Sequence, residues 1–264
     1  MMGIGSHAPT SPEFTSIHHR RFHPQTTVDS PHLRLYPLGM SSSDSESNPN
    51  QIIEHIVLFH LKPDADPSAV DAMMSSLSGL ISLDSVLHIS TGPVSGRRSN
   101  PLPFTHMLHS RYRSKSDLTS YTEHPAHVSA VASSKPIVDD VMAVDWVDDY
   151  FPGSPAVSPG SALRVTIAKL KEGAWDSEKG AVLGLLRGVK EKFPSIEQLT
   201  VGENFSPGRA KGFSICSIAV FKGENELKEL DAQSELLEIE QNDVVDSVLV
   251  LDYVVAAPVQ TASL

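Results

Sequence analysis

The sequence predicts an α+β fold made of two consecutive βαββαβ units, and three observations carry that expectation. Short apolar runs recur in the order strand, helix, strand, strand, helix, strand, which is a split ferredoxin-like arrangement. The same order returns after a stretch rich in proline and glycine. The two copies also align: His60-Leu61-Lys62 over Lys169-Leu170-Lys171, Ser95-Gly96-Arg97 over Pro207-Gly208-Arg209, Phe104-Thr105 over Phe213-Ser214, and Val144-Asp145-Trp146-Val147 over Leu251-Asp252-Tyr253-Val254. This is an internal duplication.

Residues 1–50 read as a disordered or targeting tail, with Pro, Ser and His but no apolar periodicity. Ile52 to Leu61 is a strand, with His55, Val57, Phe59 and Leu61 on one face and Ile56, Leu58 and His60 on the other. Pro63 and Pro67 end it, and Ser68 to Ile81 has the three-to-four spacing of an amphipathic helix. Val86 to Thr91 is a second strand, Gly92 to Pro103 a loop, and Phe104 to Arg113 a third strand with Phe104, His106, Leu108 and Tyr112 on one face. A helix opened by Ser116-Asp117 follows, and Val141 to Val147 closes the first unit, residues 51–150. The Pro/Gly linker of residues 151–161 leads into the second unit, 162–256. Its strands are Leu163–Lys171, Ile196–Val201, Phe213–Phe221 and Val248–Val255, and its helices Trp175–Phe193 and Glu226–Ile239. Residues 257–264 form a short tail.

At 264 residues there is ample material for a buried core. A net charge of −11 argues against nucleic-acid binding and against an anionic membrane surface. No apolar run approaches the length of a membrane span. One cysteine, Cys216, rules out an internal disulfide and reads as a small buried hydrophobe. All 12 histidines lie at or before His127, so imidazole chemistry belongs to the first unit alone.

Tyr121-Thr122-Glu123-His124-Pro125-Ala126-His127-Val128 puts a phenol and two imidazoles around a proline, the densest concentration of titratable groups in the chain. Proline lacks an amide hydrogen and pushes the residue before it away from the α region. The helix begun near Asp117 therefore breaks at His124 and restarts with Pro125 in its first turn. On a straight helix Tyr121, His124 and His127 would spread over a wide arc, whereas a kink lets them converge. The duplication puts Arg164 at His55, Ile215 at His106, Leu230 at Tyr121, Gln233 at His124 and Leu236 at His127. The fold elements repeat and the polar cluster does not. A structural reading of each residue stands beside the chemical one. His55 and His106 share faces with core residues, and His124 and His127 could serve the kink alone. The His124-x-x-His127 spacing also suits a metal, but no Cys or carboxylate joins it.

Glu54-His55-Ile56-Val57-Leu58-Phe59, Phe104-Thr105-His106, Tyr121-x-x-His124-Pro125-x-His127-Val128 and Asp145-Trp146 carry a resemblance. Residues 52–150 resemble a stress-response A/B barrel domain, of the dimeric α/β-barrel family of plants and bacteria, and 161–255 resemble a second, degenerate copy. The resemblance implies self-association of the two sheets, as an intramolecular pseudo-dimer across the linker or as a homodimer. It implies an association with plant stress responses, and no required cofactor, although some relatives bind magnesium through main-chain oxygens. In olivetolic acid cyclase, a related plant protein, the constellation works on a linear polyketide. By that resemblance His127 is the general base/acid and Tyr121 its hydrogen-bonding partner, with His55, His106 and His124 at the ligand pocket.

Two functions follow from this reading. One is a stress-associated barrel without catalysis, a small-ligand binder or assembly module. The other is a polyketide-cyclase-like enzyme. An apolar pocket open to solvent and reaching both Tyr121 and His127 favours the enzyme, and a closed, packed interior favours the first. The terminal Ala262-Ser263-Leu264 resembles a peroxisomal signal with serine in place of its basic residue. Peroxisome is the first expectation for its address. Plastid is the second, because of the arginines and serines of the N-terminal tail, and cytosol the third. Met40 is an alternative start that would remove that tail.

Overall fold

A computed structural model describes residues 48, 50–99, 102–231 and 235–256, without the side chains of 231 and 235–237. The N-terminal tail with Met40, the terminal Ala262-Ser263-Leu264, Gln233 and the side chain of Leu236 lie outside this description. The described elements are β1 (Ile52–Leu61), α1 (Pro67–Ser78), β2 (His88–Ser99), β3 (His106–Tyr112), α2 (Lys115–Glu123), α3 (Pro125–Ser134) and β4 (Val138–Asp148). The second half repeats them as β5 (Ala162–Leu170), α4 (Asp176–Lys192), β6 (Ile196–Glu203), β7 (Ile215–Phe221), α5 (Glu224–Asp231), α6 (Glu235–Glu240) and β8 (Val245–Val254). All strands belong to one antiparallel sheet of order β4-β1-β3-β2-β8-β5-β7-β6. The two ferredoxin-like halves are therefore joined within one chain, by β2 on β8.

That junction changes one expectation. Gly92 to Pro103, expected as a loop, continues β2 as far as Ser99. Val94 pairs with Tyr253, Arg97 with Leu251 and Ser99 with Val250, with register shifts between them. The signal for this strand lies in the other half, where no local pattern can show it. The sheet curls until its two end strands meet. The Phe205 amide donates to the Asp145 carbonyl (2.9 Å), and the Asp145 amide to Asn204 Oδ1 (3.0 Å).

Strand alternation sorts the side chains into layers. Ile56, Leu58, Met107, Val144 and Trp146 point inward and meet Val165, Ile167, Ile218 and Tyr253 of the other half in one buried core. On the outer face of the first half, Ile53, Val57, Phe59, Leu108 and Tyr112 pack against Met73 and Leu77 of α1 and Leu118 and Tyr121 of α2. Phe104 departs from its expected face. It precedes β3 and is buried in the inward core, whereas Leu108 and Tyr112 face the helices.

The helix ends follow local chemistry. Pro67 opens α1 behind Asp66, whose carboxylate accepts the Ser68 amide at 2.8 Å. The cap of α2 is Ser114, two residues before the expected one, accepting the Asp117 amide at 3.0 Å. The break at His124 occurs as the proline requires. His124 sits at φ −63°, ψ 134° between α2 and α3, and Pro125 is the first residue of α3. No helix among the described residues is long and apolar enough to cross a membrane.

Candidate functional site

The outer face of the first half carries an open cavity of about 380 Å³. Its floor is the β1 and β3 surface, with Val57, Phe59 and Leu108; α1 supplies Leu77 and α3 supplies Val131. His55, Tyr121 and His127 all line it. His106 and His124 do not. His106 sits opposite Phe59 on β3, with Nδ1 3.0 Å from Thr105 Oγ1, and partial burial lowers its pKa. His124 Nδ1 accepts the Ala126 amide at 3.1 Å, so its imidazole caps α3. Of the five histidine and tyrosine candidates, the kink and β1 bring three together.

His127 lies one turn into α3, and its Nδ1 is 3.0 Å from the Thr122 carbonyl of α2. A carbonyl can only accept, so Nδ1 carries the proton and the neutral ring keeps its lone pair on Nε2. Burial lowers the His127 pKa and outweighs the Thr122 carbonyl, which raises it; His55 and Arg209 push it further down. The ring is therefore neutral at pH 7, as a base must be. Tyr121 stacks beside it at a tilt, with ring centroids 4.6 Å apart. Burial raises the Tyr121 phenol to about 12, which keeps it protonated. Its hydroxyl is closed to water and makes no hydrogen bond of good geometry; the nearest phenol is that of Tyr112, whose ring centroid is 5.2 Å away and whose hydroxyl interacts with it and lowers the Tyr121 pKa against the effect of burial. A buried hydroxyl without a well-formed hydrogen bond is uncommon in a native fold.

The third member is held by a residue that periodicity did not single out. His55 on β1 stands directly opposite Asp145 on β4, and His55 Nδ1 makes a short hydrogen bond to Asp145 Oδ1. Both are buried. Burial would raise the Asp145 pKa, but the bond and charge of His55, helped by Ser206 and Arg209, hold it below the ordinary aspartate value. A carboxylate accepts, so His55 Nδ1 is the donor and its Nε2 is left to act. The duplication contained the signal for Asp145. It aligns with Asp252, so the acid is kept in both halves while its partner changes from His55 to Arg164.

A second polar group, also unforeseen, lies inside the barrel. Glu54, His109 and Arg111 are fully buried on the inward face. Arg111 Nε lies 3.0 and 3.1 Å from the two Glu54 oxygens, and His109 Nε2 is 2.7 Å from Oε2. Thr200 of β6 donates to Glu54 Oε1 at 3.0 Å, and Arg111 donates to Gln198 Oε1 at 2.7 Å and to the Pro155 carbonyl at 3.0 Å. The network binds first half, linker and second half together. It faces away from the cavity, so its role is to position the halves. Among the described residues no group of three or more His, Cys, Asp and Glu is placed to hold a metal.

The chain matches the profile of the stress responsive A/B barrel domain twice, over residues 53–148 and 163–255. It is 52% identical over 237 residues to a stress-response A/B barrel domain-containing protein of Arabidopsis thaliana, covering 88% of this chain and 90% of that one. A second stress-response A/B barrel domain-containing protein of Arabidopsis thaliana is 42% identical over 206 residues, covering 77% of this chain and 97% of its own length. Among solved structures, an anthrone oxidase-like protein superposes with a TM-score of 0.53 at 10% identity, over 79% of this chain and 92% of that one, which speaks to the fold alone. With the motif in place and both halves matched, the chain belongs to the stress-response A/B barrel family as a tandem, two-domain member.

Proposed function

We propose that the first half is an acid–base enzyme of the polyketide-cyclase type, acting on a small, largely apolar carbonyl compound. The observation that carries this reading is the convergence of Tyr121, His127 and the His55–Asp145 pair on a cavity that is apolar and open to solvent. A packed interior would have favoured a non-catalytic module.

In an intramolecular aldol reaction, His127 Nε2 takes a proton from the carbon next to a ketone. The electron pair moves to the ketone oxygen, which becomes an enolate. Tyr121, protonated and with only the Tyr112 phenol beside its hydroxyl, donates a hydrogen bond to that oxygen once a ligand displaces the ring enough to reach its hydroxyl. The enolate carbon attacks a second carbonyl of the same chain, forming the ring bond and an alkoxide. The imidazolium of His127 returns its proton to the alkoxide, so the enzyme ends as it began. His55, oriented by Asp145, is a second proton carrier on the same wall.

Turnover of a linear poly-β-ketone thioester, followed by mass spectrometry of the cyclised product, tests the reading. His127→Ala is expected to lower kcat about 10²-fold or more. Tyr121→Phe is expected to reduce it by roughly 10²-fold with the fold intact by circular dichroism. Wild-type turnover in His127→Ala ends the assignment. Tight ligand binding with no turnover in the wild type converts it into a ligand carrier.

A further inference from the structure

The first-half cavity is not built by the first half alone. Arg209, at the end of a short 3₁₀ turn Pro207–Arg209 in the second half, lines it together with His127 and Val131. We infer that Arg209 is a specificity-determining residue, an anchor by which the second half selects a ligand bearing a carboxylate. This rests on the cavity assigned above and names the class of molecule it takes.

The cations at the cavity differ in what they can meet. Its rim carries two acids and two fixed cations, Asp139, Asp140, Lys135 and Arg209. Asp140 is engaged by Lys211 at 2.9 Å, and Asp139 faces His60 at 3.5 Å. Asp145, behind the wall, is engaged by His55. Among the described residues neither Lys135 nor Arg209 forms a close ion pair, and the nearby carboxylate that Arg209 acts on, Asp145, is already hydrogen-bonded to His55. Arg209 acts through space on the cavity's imidazole and on the buried acid behind it, lowering the pKa of His127 and of Asp145. A guanidinium lining the same cavity as the imidazole can meet a carboxylate with two parallel hydrogen bonds.

The opposite side of the molecule shows what happens when such a site is filled from within. There Asp252 receives Arg164 of its own half at 2.8 Å and Arg98 of the other half at 3.0 Å. Arg98 therefore reaches across the seam as Arg209 does, but lands on a protein carboxylate. In the first half the corresponding acid already holds His55, and Arg209 is left facing open space.

Isothermal titration of the full chain with octanoate and with octanamide tests this, since the pair differs in charge and hardly in shape. The wild type is expected to prefer octanoate about tenfold or more, by one charge-assisted bidentate contact. Arg209→Gln should erase that preference and leave octanamide binding unchanged, whereas Arg209→Lys should keep part of it. Arg97→Gln, an exposed arginine in the equivalent region of the first half, should alter neither. Val131→Trp, which fills the cavity, should abolish both. Octanoate bound equally by wild type and Arg209→Gln overturns the anchor. A wild type that binds neither probe overturns the anchor together with the open-cavity reading beneath it. Loss of octanoate preference in Arg209→Gln, with no poly-β-ketone turnover in any variant, upholds the anchor and sinks only the catalytic reading.

Discussion

The two halves share a backbone plan and hold an aspartate at the same register, yet only one of them sets a histidine against it. In the first half Asp145 pairs with His55; in the second, Asp252 pairs with Arg164. Arginine does not deprotonate in a protein, so the second pair is a permanent ion pair, while the first contains an imidazole, a side chain that can both give and take a proton. The same substitution pattern runs through the neighbourhood. Ser110 and Tyr112 on β3 are matched in register by Ala219 and Phe221 on β7. Tyr121 aligns with Leu230, a buried core residue. The second half has exchanged three hydroxyls for hydrocarbon and a titratable base for a fixed charge. The acid is thus common to both halves, and its partner is what differs between them.

Inside the barrel the halves differ in the same sense, and that difference can be broken by design. Glu54, His109 and Arg111 correspond in register to Leu163, Ile218 and Val220. Glu54→Leu alone strands the Arg111 guanidinium in the interior, with an expected loss of about 3–5 kcal/mol in urea unfolding. The triple variant Glu54→Leu, His109→Ile, Arg111→Val removes the whole group and should recover most of that loss. The pH response separates the two cases. Burial works to raise the Glu54 pKa, but Arg111 and His109 prevail and hold it at about 2, against an ordinary value of 4.5. A depressed folded-state pKa stabilises fully above the unfolded value and is lost as pH falls through the folded one. Glu54 should therefore contribute on the order of 3 kcal/mol at neutral pH, fading between about pH 4.5 and 2. An acid limb equally steep in wild type and triple variant would show that the network is not its source.

The seams between the halves give a smaller contrast. Gly92 on β2 and Gly202 on β6 hold equivalent positions, each beneath an aromatic ring of the opposite half, Tyr253 and Trp146 respectively. A Cβ at Gly92 would lie 3.3 Å from the Tyr253 ring, which can yield slightly. One at Gly202 would lie 2.7 Å from the Val147 carbonyl and 2.8 Å from Trp146 Cδ1. Gly202→Ala should destabilise by about 1–3 kcal/mol and Gly92→Ala by less than about 1 kcal/mol in thermal unfolding. Equal effects would mean that the two seams are packed alike.

How much of this was legible follows from the range of each signal. The strands, the first-half helices and the kink at His124 follow from periodicity, caps and a proline, all local. The match between Val144-Asp145-Trp146-Val147 and Leu251-Asp252-Tyr253-Val254 anticipated the pseudo-symmetry. The extension of β2 to Ser99 was hidden because its partner, β8, lies about 150 residues on. Arg209 was hidden for the same reason, since the cavity it lines belongs to the other half. Glu54, His109 and Arg111 alternate correctly for one strand face but look, residue by residue, like an exposed polar edge; only closure of the barrel buries them. His106 and His124 were grouped with the cavity because composition cannot tell an imidazole that caps a helix from one that faces a ligand.

His124 is where that last ambiguity can be resolved with the smallest perturbation. Its Nδ1 takes the Ala126 amide, one of the four amides that a helix start leaves without intrahelical partners. An N-cap contact of this kind contributes about 0.5–1 kcal/mol, and serine or asparagine supplies it as well as histidine does. His124→Ala is therefore expected to lower stability by that amount, with the change confined to α3, and His124→Ser to restore it. Turnover and octanoate binding should be close to wild type in His124→Ser, because α3 then still delivers His127 to the cavity while no imidazole remains at 124. A parallel His127→Ser variant should keep its stability and lose turnover. If His124→Ser folds normally yet loses turnover as His127→Ser does, the imidazole at 124 acts on the ligand, and the division between capping and reacting histidines drawn from the geometry is wrong.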